Sequence, residues 1–412
     1  MGWKTVQFAD LVRKVSTSKL KLRQKEYLDS GRYPVVDQGK NHIGGYTNDA
    51  SKVIHAKYPL IVFGDHSRSV KILRQPFAPG ADGTKVLEPR DSVDAFFLYF
   101  LTKYLSHKIA NKGYARHYQY LAKETVNLPP LPEQRAIAAK LDELLGVLDR
   151  SVGELRGAAA RLGVYRESVL REAFAGRLTE EWREIDSTVE VPPPLIEKQK
   201  FTADLSSFSI ELPPTWKVVA LGNLSNGVQY GTSSKSLKTG STPVLRMGNM
   251  QNGKIDWSDL KYTDDQGDIE KYQLSKGDVL FNRTNSPEWV GKTVIYQGEQ
   301  PAIFAGYLIR VNHEKSAIDS SYLNYYLNSH YAKMHGNRVK TDGVNQSNIN
   351  GKKLSAYPIP LPSLPEQRRI VSEIESRLSV AGALEREVAG ALARAEGLRM
   401  GVLKRAFGGE LV

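Results

Sequence analysis

Residues 128–178 begin LPPLPEQRAI and end VLREAFAGRL; residues 361–411 begin LPSLPEQRRI and end VLKRAFGGEL. The two stretches align at a constant offset of 233, with 22 identities in 51 positions and no insertion or deletion. A register held that long is an internal duplication, with a period far beyond that of a solenoid repeat. The chain therefore folds as two large units, each a variable region followed by the same element. Such a molecule does one job at two places.

The repeated element reads as a long helix. Pro132 and Pro365 take first-turn positions, where a missing N–H costs nothing, and Glu133 and Glu366 follow at the positive end of the helix dipole. Leu141, Leu148, Leu155, Leu162 and Val169 recur every seven residues, with Ile137, Leu144, Ala158 and Tyr165 at most complementary positions and polar Ser151 as the exception. The second copy has Ile374, Ala381, Val388, Ala395 and Val402, joined by Ile370, Leu384, Ala391 and Leu398. These heptads predict helices roughly 60 Å long, at 1.5 Å per residue. Gly176 and Gly408–Gly409 are candidate C-caps. A Leu-rich stripe opposite an Ala-rich one predicts pairing within the chain. Because each helix follows its own globular region, the pairing is expected to be antiparallel, a rod with Leu141, Leu148 and Leu155 facing Ala381, Val388 and Ala395.

Length and composition fit this plan. At 412 residues, 41% apolar and 25% charged, the chain has room for several ordinary domains. No apolar run approaches the roughly 20 residues of a membrane span, and the N-terminus lacks a secretory signal. There is no cysteine, which excludes disulfides, thiol catalysis and Cys-ligated zinc. A cytoplasmic location without a membrane partner is expected. The net charge of +12 is distributed as +10 over residues 1–128, −4 over 129–215, +5 over 216–361 and +1 over 362–412. The excess lies in the variable regions, as polyanion binding requires, although an idle basic surface has the same composition.

The variable regions read as mixed α/β. Runs such as PLIVF, VKIL, GDVLF, KTVIY and AIFAGYLIRV are punctuated by Gly, Asn and Asp, and helices are expected at Val93–Ile109 and Ser321–Met334. A faint kinship links Trp3-Lys4-Thr5-Val6 to Trp216-Lys217-Val218-Val219 and Pro34-Val35-Val36 to Pro243-Val244-Leu245. Between the units, Pro192–Pro194 mark a stiff linker. The loops carry side chains suited to base edges. The first region offers Gln38, Lys40, Asn41, His42, His66, Arg68, Arg116, His117, Tyr118, Gln119 and Tyr120. The second offers Arg246, Asn249, Asn282, Arg283, Thr284, Asn285, Lys292, Arg338, Lys340, Asn345, Gln346 and Asn348. Arg and Lys pair with guanine, Asn and Gln with adenine, but each of these residues also suits a turn or a phosphate contact.

Motifs for catalysis are absent: no phosphate loop, H-E-x-x-H, G-x-S-x-G or calcium loop, and no Asn-Pro-Pro-aromatic motif of an amino-methyltransferase. Asp65-His66-Ser67 has hydrolase residue types, but neighbours on a strand point to opposite faces. No metal site is expected.

The doubled LPxLPEQR, each copy opening a helix that ends AFAGRL or AFGGEL, resembles the conserved regions of the specificity subunit of type I restriction–modification enzymes. GDVLFNRTNSPEWVGKTVIY at 277–296 and VNQSNINGKKLSAYPIPLPSLPEQR at 344–368 resemble that family's target-recognition domains, whereas VFGDHSRSVKI in the first region departs from the pattern. The resemblance implies a first recognition domain at 1–128, a long helix at 129–178, a linker at 179–215, a second recognition domain at 216–361 and a second helix at 362–412. It implies a non-catalytic subunit whose two domains each read half of a bipartite, asymmetric site in double-stranded DNA. Its helices would set the gap and dock two adenine-methyltransferase subunits, with restriction–translocase subunits joining. S-adenosylmethionine and magnesium–ATP would bind those partners, not this chain. Alternatives are the specificity subunit of a related system with a fused methyltransferase–nuclease, an enzyme with an unrecognised site, and a coiled-coil scaffold whose basic heads bind another ligand.

Overall fold

The β-branched runs build the same three-sheet plan twice. The computed structural model describes residues 2–80, 83–110, 113, 115–185, 201–206, 208, 210–251, 253–286, 288, 290–344 and 346–411. Pro192–Pro194 lie outside them, and the start of the expected linker is helical, at Arg177–Thr179 and Glu180–Ile185. Two units emerge: Met1–Ala158 with Glu387–Val412, and Ala159–Arg386.

In the first unit Leu60–Gly64 sits inside an antiparallel sheet ordered Val12–Val15, Thr84–Pro89, Leu60–Gly64, Val70–Leu73. Alternation along the strand gives it two buried faces. Ile61 and Phe63 pack with Phe97, Leu101 and Leu105 of helix Ala95–Lys108. Leu60 and Val62 pack with Val36 of a second sheet, in which Tyr33–Val36 pairs antiparallel with Gly45–Thr47 and parallel with Ala78–Pro79. Lys4–Gln7 pairs with Thr125–Leu128, bringing the two ends of the head together.

The second unit repeats this. Its sheet runs Ser225–Tyr230, Leu308–His313, Val279–Asn282, Thr293–Ile295. Thr242–Leu245 pairs antiparallel with Lys261–Thr263 and parallel with Ile303–Phe304, and Lys217–Ala220 pairs with Pro358–Leu361. The weak Trp and Pro-Val echoes thus mark equivalent strands. The helix expected at Ser321–Met334 is two, Ser320–Leu327 and His330–Val339. The break has a local cause: the Ser329 side chain caps the second helix by accepting the Ala332 N–H. Two elements have no counterpart among the described residues of the first unit: the Met250–Gln251/Lys254–Ile255 hairpin, and a ribbon of Thr284–Asn285, Ser347–Asn348 and Thr341–Asp342.

Both repeated elements are single helices of 44 residues, Leu131–Phe174 and Leu364–Phe407, and Gly176 and Gly409 follow them with φ +78°. LPxLPEQ proves to be a docking device. Gln134 Oε1 accepts the N–H of Asp94, the N-cap of helix Ala95–Lys108, at 2.8 Å, while its amide donates to Pro129 O and Ser92 O. Gln367 does the same with Asp319, Pro362 and Ala317. Glu133 accepts the Trp3 indole N–H at 2.9 Å, and Glu366 that of Trp216 at 3.0 Å.

The helices pair antiparallel inside each unit. In the first, Ile137, Leu141, Leu145 and Leu148 share a core with Met400, Val402, Leu403 and Ala406, and Arg399 bonds Asp149. In the second, Val169, Ala173 and Phe174 share a core with Ile370 and Ile374, and Arg166 forks onto Glu385 at 2.7 and 2.9 Å. The expected partners of Leu141 and Leu148 were therefore misplaced along the second helix. Of the complementary stripe, Ile137 and Ile370 are buried as expected, but the positions farther along the helices are not. Leu384 and Leu398 are 50% and 61% exposed, and Leu144 is less buried than Leu145. Leu155, Leu162, Val388 and Val402 are half-buried. The second inward position follows the first by four residues instead of three. It is filled by Leu145, Arg166, Leu378, Glu385 and Arg399, so charged side chains stand where an apolar stripe was sought.

Candidate nucleic-acid interface

The turn after Leu60–Gly64 and the longer loop after Val279–Asn282 are equivalent in the two heads, and they hold their polar side chains differently. In the first head Asp65–Ser67 form a turn and not a strand, so strand alternation does not separate these three side chains. The geometry occupies these residues otherwise. Asp65 is buried, accepts the Tyr118 N–H at 2.8 Å and lies 3.3 Å from Lys85 Nζ. The His66 backbone N–H donates to Gln38 Oε1, its ring Nδ1 lies 3.2 Å from Ala115 O, and Ser67 donates to Gln38 O.

Arg68, expected at the DNA, turns inward. It adopts φ +59°, and its Nη1 donates to Ser106 O and Ile109 O, capping the C-terminal end of helix Ala95–Lys108. Tyr118 and His117 are also buried. Tyr118 packs against Phe63 under the Lys14 ammonium, and His117 Nδ1 lies 3.0 Å from Asp65 O. Burial raises the pKa of the Tyr118 phenol, and Asp65 adds to the shift. Lys40, Asn41, His42, Arg116 and Gln119 remain exposed, and Tyr120 is half-buried. His42 is held below the ordinary imidazole range by partial burial and then by the charges of Lys71 and Lys103. Lys71 is itself buried, its Nζ on Asp37 O at 2.8 Å; burial lowers its pKa although Asp37 opposes the shift. Sequence reasoning missed Lys71 and Lys103 because each lies within a regular element whose period explained it.

In the second head several expected readers are bonded or buried within the protein. Asn249 is buried; it accepts the Arg246 N–H and donates to Asp256 O and Asp259 O, closing its own turn. Arg246 donates to Asp259. Asn282 is fully buried on the Leu280 side of its strand, with neither amide atom hydrogen-bonded among the described residues. Lys292 Nζ reaches Met250 O at 3.4 Å; burial lowers its pKa, and Lys333 adds to the shift. Arg338 is exposed and bonds Ser206 O, and Lys340 lies 3.8 Å from Asp342.

The remaining candidates converge on the ribbon. Thr284 and Asn285 pair with Asn348 and Ser347, Asn348 Nδ2 donates to Thr284 Oγ1 at 2.7 Å, and Ile349 N donates to Arg283 O. Gln346 is exposed at the adjoining turn, and Asn345 lies outside the described residues. Arg283 is half-buried and stacks on Tyr230, its Cζ 4.9 Å from the ring centroid. Tyr230 was not expected; its only sequence signal is an aromatic residue beside Gly231 at a strand end. Among the described residues no group of His, Cys, Asp or Glu could hold a metal ion, and no helix is long and apolar enough to cross a membrane.

Residues 1–150 and 213–386 match the family model described as the type I restriction modification DNA specificity domain. The chain is 31% identical to the type I restriction enzyme EcoKI specificity subunit of Escherichia coli (strain K12) over 292 residues, 69% of this chain and 57% of that protein. It thus spans less than two thirds of that relative's length. With the EcoDI specificity subunit of Escherichia coli it is 27% identical over 421 residues, covering 100% of this chain and 89% of the relative. A chain solved in a study of complex assembly and conformational transition of the type I R-M system has the same fold, at a TM-score of 0.66 and 19% identity, covering 100% of this chain and 98% of its own.

Proposed function

The chain belongs to the type I restriction modification DNA specificity domain family, and from that premise we propose that it is the sequence-reading subunit of a type I restriction–modification complex. Each head reads one half of a bipartite, asymmetric site in double-stranded DNA. The paired helices set the gap and dock two adenine-methyltransferase subunits, and restriction–translocase subunits join that assembly in the cytoplasm. Methyl transfer and cleavage, with S-adenosylmethionine and magnesium–ATP, belong to the partners.

One observation carries this reading. The same three-sheet head, seated on its helix by the same Gln and Glu, presents different side chains in equivalent loops: Asp65–Ser69 in the first head and Arg283–Lys292 in the second. A shared scaffold with unlike reading loops suits an asymmetric target. Base edges supply the specificity, and exposed cations such as Lys40 and Arg116 supply phosphate contacts.

The test is exchange of residues 216–361 for the equivalent head of another family member, co-expressed with the methyltransferase subunits. Sequencing of methylated adenines in the host genome is expected to show one half of the motif changed and the other kept. A change in both halves, or in neither, overturns the reading.

A further inference from the structure

Arg283 is the reading-loop arginine whose posture is fixed while its hydrogen-bonding fork stays open. Its Nε donates to Gly306 O at 3.3 Å, and its guanidinium lies on the Tyr230 ring. Among the described residues neither Nη has a hydrogen-bond partner. The ring is fixed in turn: Gly351 N–H donates to Tyr230 Oη at 2.8 Å. That approach requires glycine, since a Cβ on residue 351 would stand 2.8 Å from Val228 Cγ2 and 3.0 Å from Tyr230 Oη. Gly231 has the same constraint, for a Cβ there would meet Phe304 O at 2.1 Å. Tyr230 is 40% exposed, so its ring is a platform at the surface and not a core residue.

We propose that Tyr230 is a positioning residue that holds Arg283 for bidentate recognition of one guanine in the half-site read by the second head. The inference rests on the DNA-reading role proposed above. With Nε taken by Gly306 O, the guanidinium presents its two Nη groups end-on in one plane. Guanine O6 and N7 are two acceptors on one edge that match such a fork. A phosphate accepts such a fork too, so loss of discrimination at one motif position is what marks guanine. Stacking restricts the rotation of a long side chain, so less freedom is lost when it meets the base. Arg68, in the equivalent turn of the first head, has spent its donors on a helix end and offers no such fork.

The test uses the full chain co-expressed with its methyltransferase subunits, and reads the methylated motif. The parent motif is expected to contain a guanine in the half assigned to residues 216–361. Arg283→Ala should relax that one position, with discrimination against other bases falling about ten-fold or more, and Arg283→Lys, which keeps a donor for guanine but loses the fixed fork, should relax it less. Tyr230→Leu should relax the same position, and Tyr230→Phe, which keeps the ring but loses the Gly351 hydrogen bond that fixes it, should relax it less. Purified parent complex should bind a duplex carrying 7-deazaguanine at that position about ten-fold more weakly, and the Arg283→Ala complex should be indifferent to it. A motif unchanged in Arg283→Ala makes this a phosphate contact and overturns the proposal. Relaxation in Arg283→Ala without relaxation in Tyr230→Leu overturns the part given to Tyr230. If Tyr230→Leu does not fold, Tyr230→Met decides the ring's part by the same readout. A head exchange that alters the second half while the point variants change nothing defeats this inference alone; an exchange that alters neither half defeats the reading beneath it.

Discussion

The Trp216 indole N–H donates to a Glu366 carboxylate that has no exposed surface, and Trp3 and Glu133 make the same bond in a far less enclosed setting. Glu366 also receives Thr179 Oγ1 and Arg183 Nη1, the latter at 2.5 Å. Truncating a buried ion pair at one end strands the other charge and costs about 3–5 kcal/mol, whereas one neutral hydrogen bond contributes about 1 kcal/mol. Glu366→Ala is therefore expected to destabilise the second unit severalfold more than Glu133→Ala destabilises the first. Urea unfolding of each variant against the parent measures the difference. Equal losses would show that the Arg183 arm adds nothing.

Gln134 and Gln367 each satisfy one backbone N–H and two carbonyls where head meets helix. Substitution by Ala leaves these groups without that partner, at about 1–3 kcal/mol each when buried. Both variants should lower the unfolding midpoint of their own unit. Gln367→Glu should cost more than Gln367→Ala, because a carboxylate there faces the carbonyls of Ala317 and Pro362. The reverse order would mean that the pocket admits water.

The duplication, the helix ends and the heads' strand content were legible because each depends on short-range rules: proline in a first turn, glycine after a last one, alternation in a strand. The stripe was not. Three and four residues both return to one helix face, and Leu384 and Leu398 made the three-residue choice look apolar. What decides is the partner helix: Arg166 opposite Glu385, and Asp149 opposite Arg399, are visible only once the helices are paired. The loops fail for a similar reason. Asn249 and Arg68 have the residue types that read bases, but each has carbonyls within reach that the sequence does not place there. Tyr230 went unnoticed because its partner Arg283 is distant in the chain.

The Arg166–Glu385 pair gives a pH signature. The Arg166 hydrogen bond holds the Glu385 carboxyl below the ordinary value of 4.5, against the opposing effect of burial and with the charges of Arg166 and Arg386 adding to it. A carboxyl with a lowered folded pKa contributes stability that is present above the unfolded value and lost as pH falls through the folded one. Both side chains are more than a third exposed or close to it, so screening reduces the effect to about 1 kcal/mol or less. Glu385→Gln should be slightly less stable than the parent at pH 7, and the gap should close as pH falls below 4.5. Urea midpoints measured between pH 3 and pH 7 check this. A gap that persists at the acid end would assign it to packing.

Arg68 and Arg283 occupy equivalent loops and should respond oppositely to truncation. Arg68 Nη1 bonds two carbonyls at the end of helix Ala95–Lys108, at 3.3 and 3.0 Å, and charged hydrogen bonds of this kind contribute about 1.5–3 kcal/mol. Its φ of +59° costs a non-glycine residue part of that. Arg68→Ala keeps the backbone cost and loses the cap, whereas Arg68→Gly loses the cap and relieves the backbone. The order of stability should therefore be parent, then Gly, then Ala. Neither variant should relax a single base of the half-site read by residues 1–128, although both lower the amount of folded protein. Base-specific relaxation in Arg68→Gly would mean that this arginine leaves the helix end when DNA arrives, and the two heads would then read by the same residue in two postures.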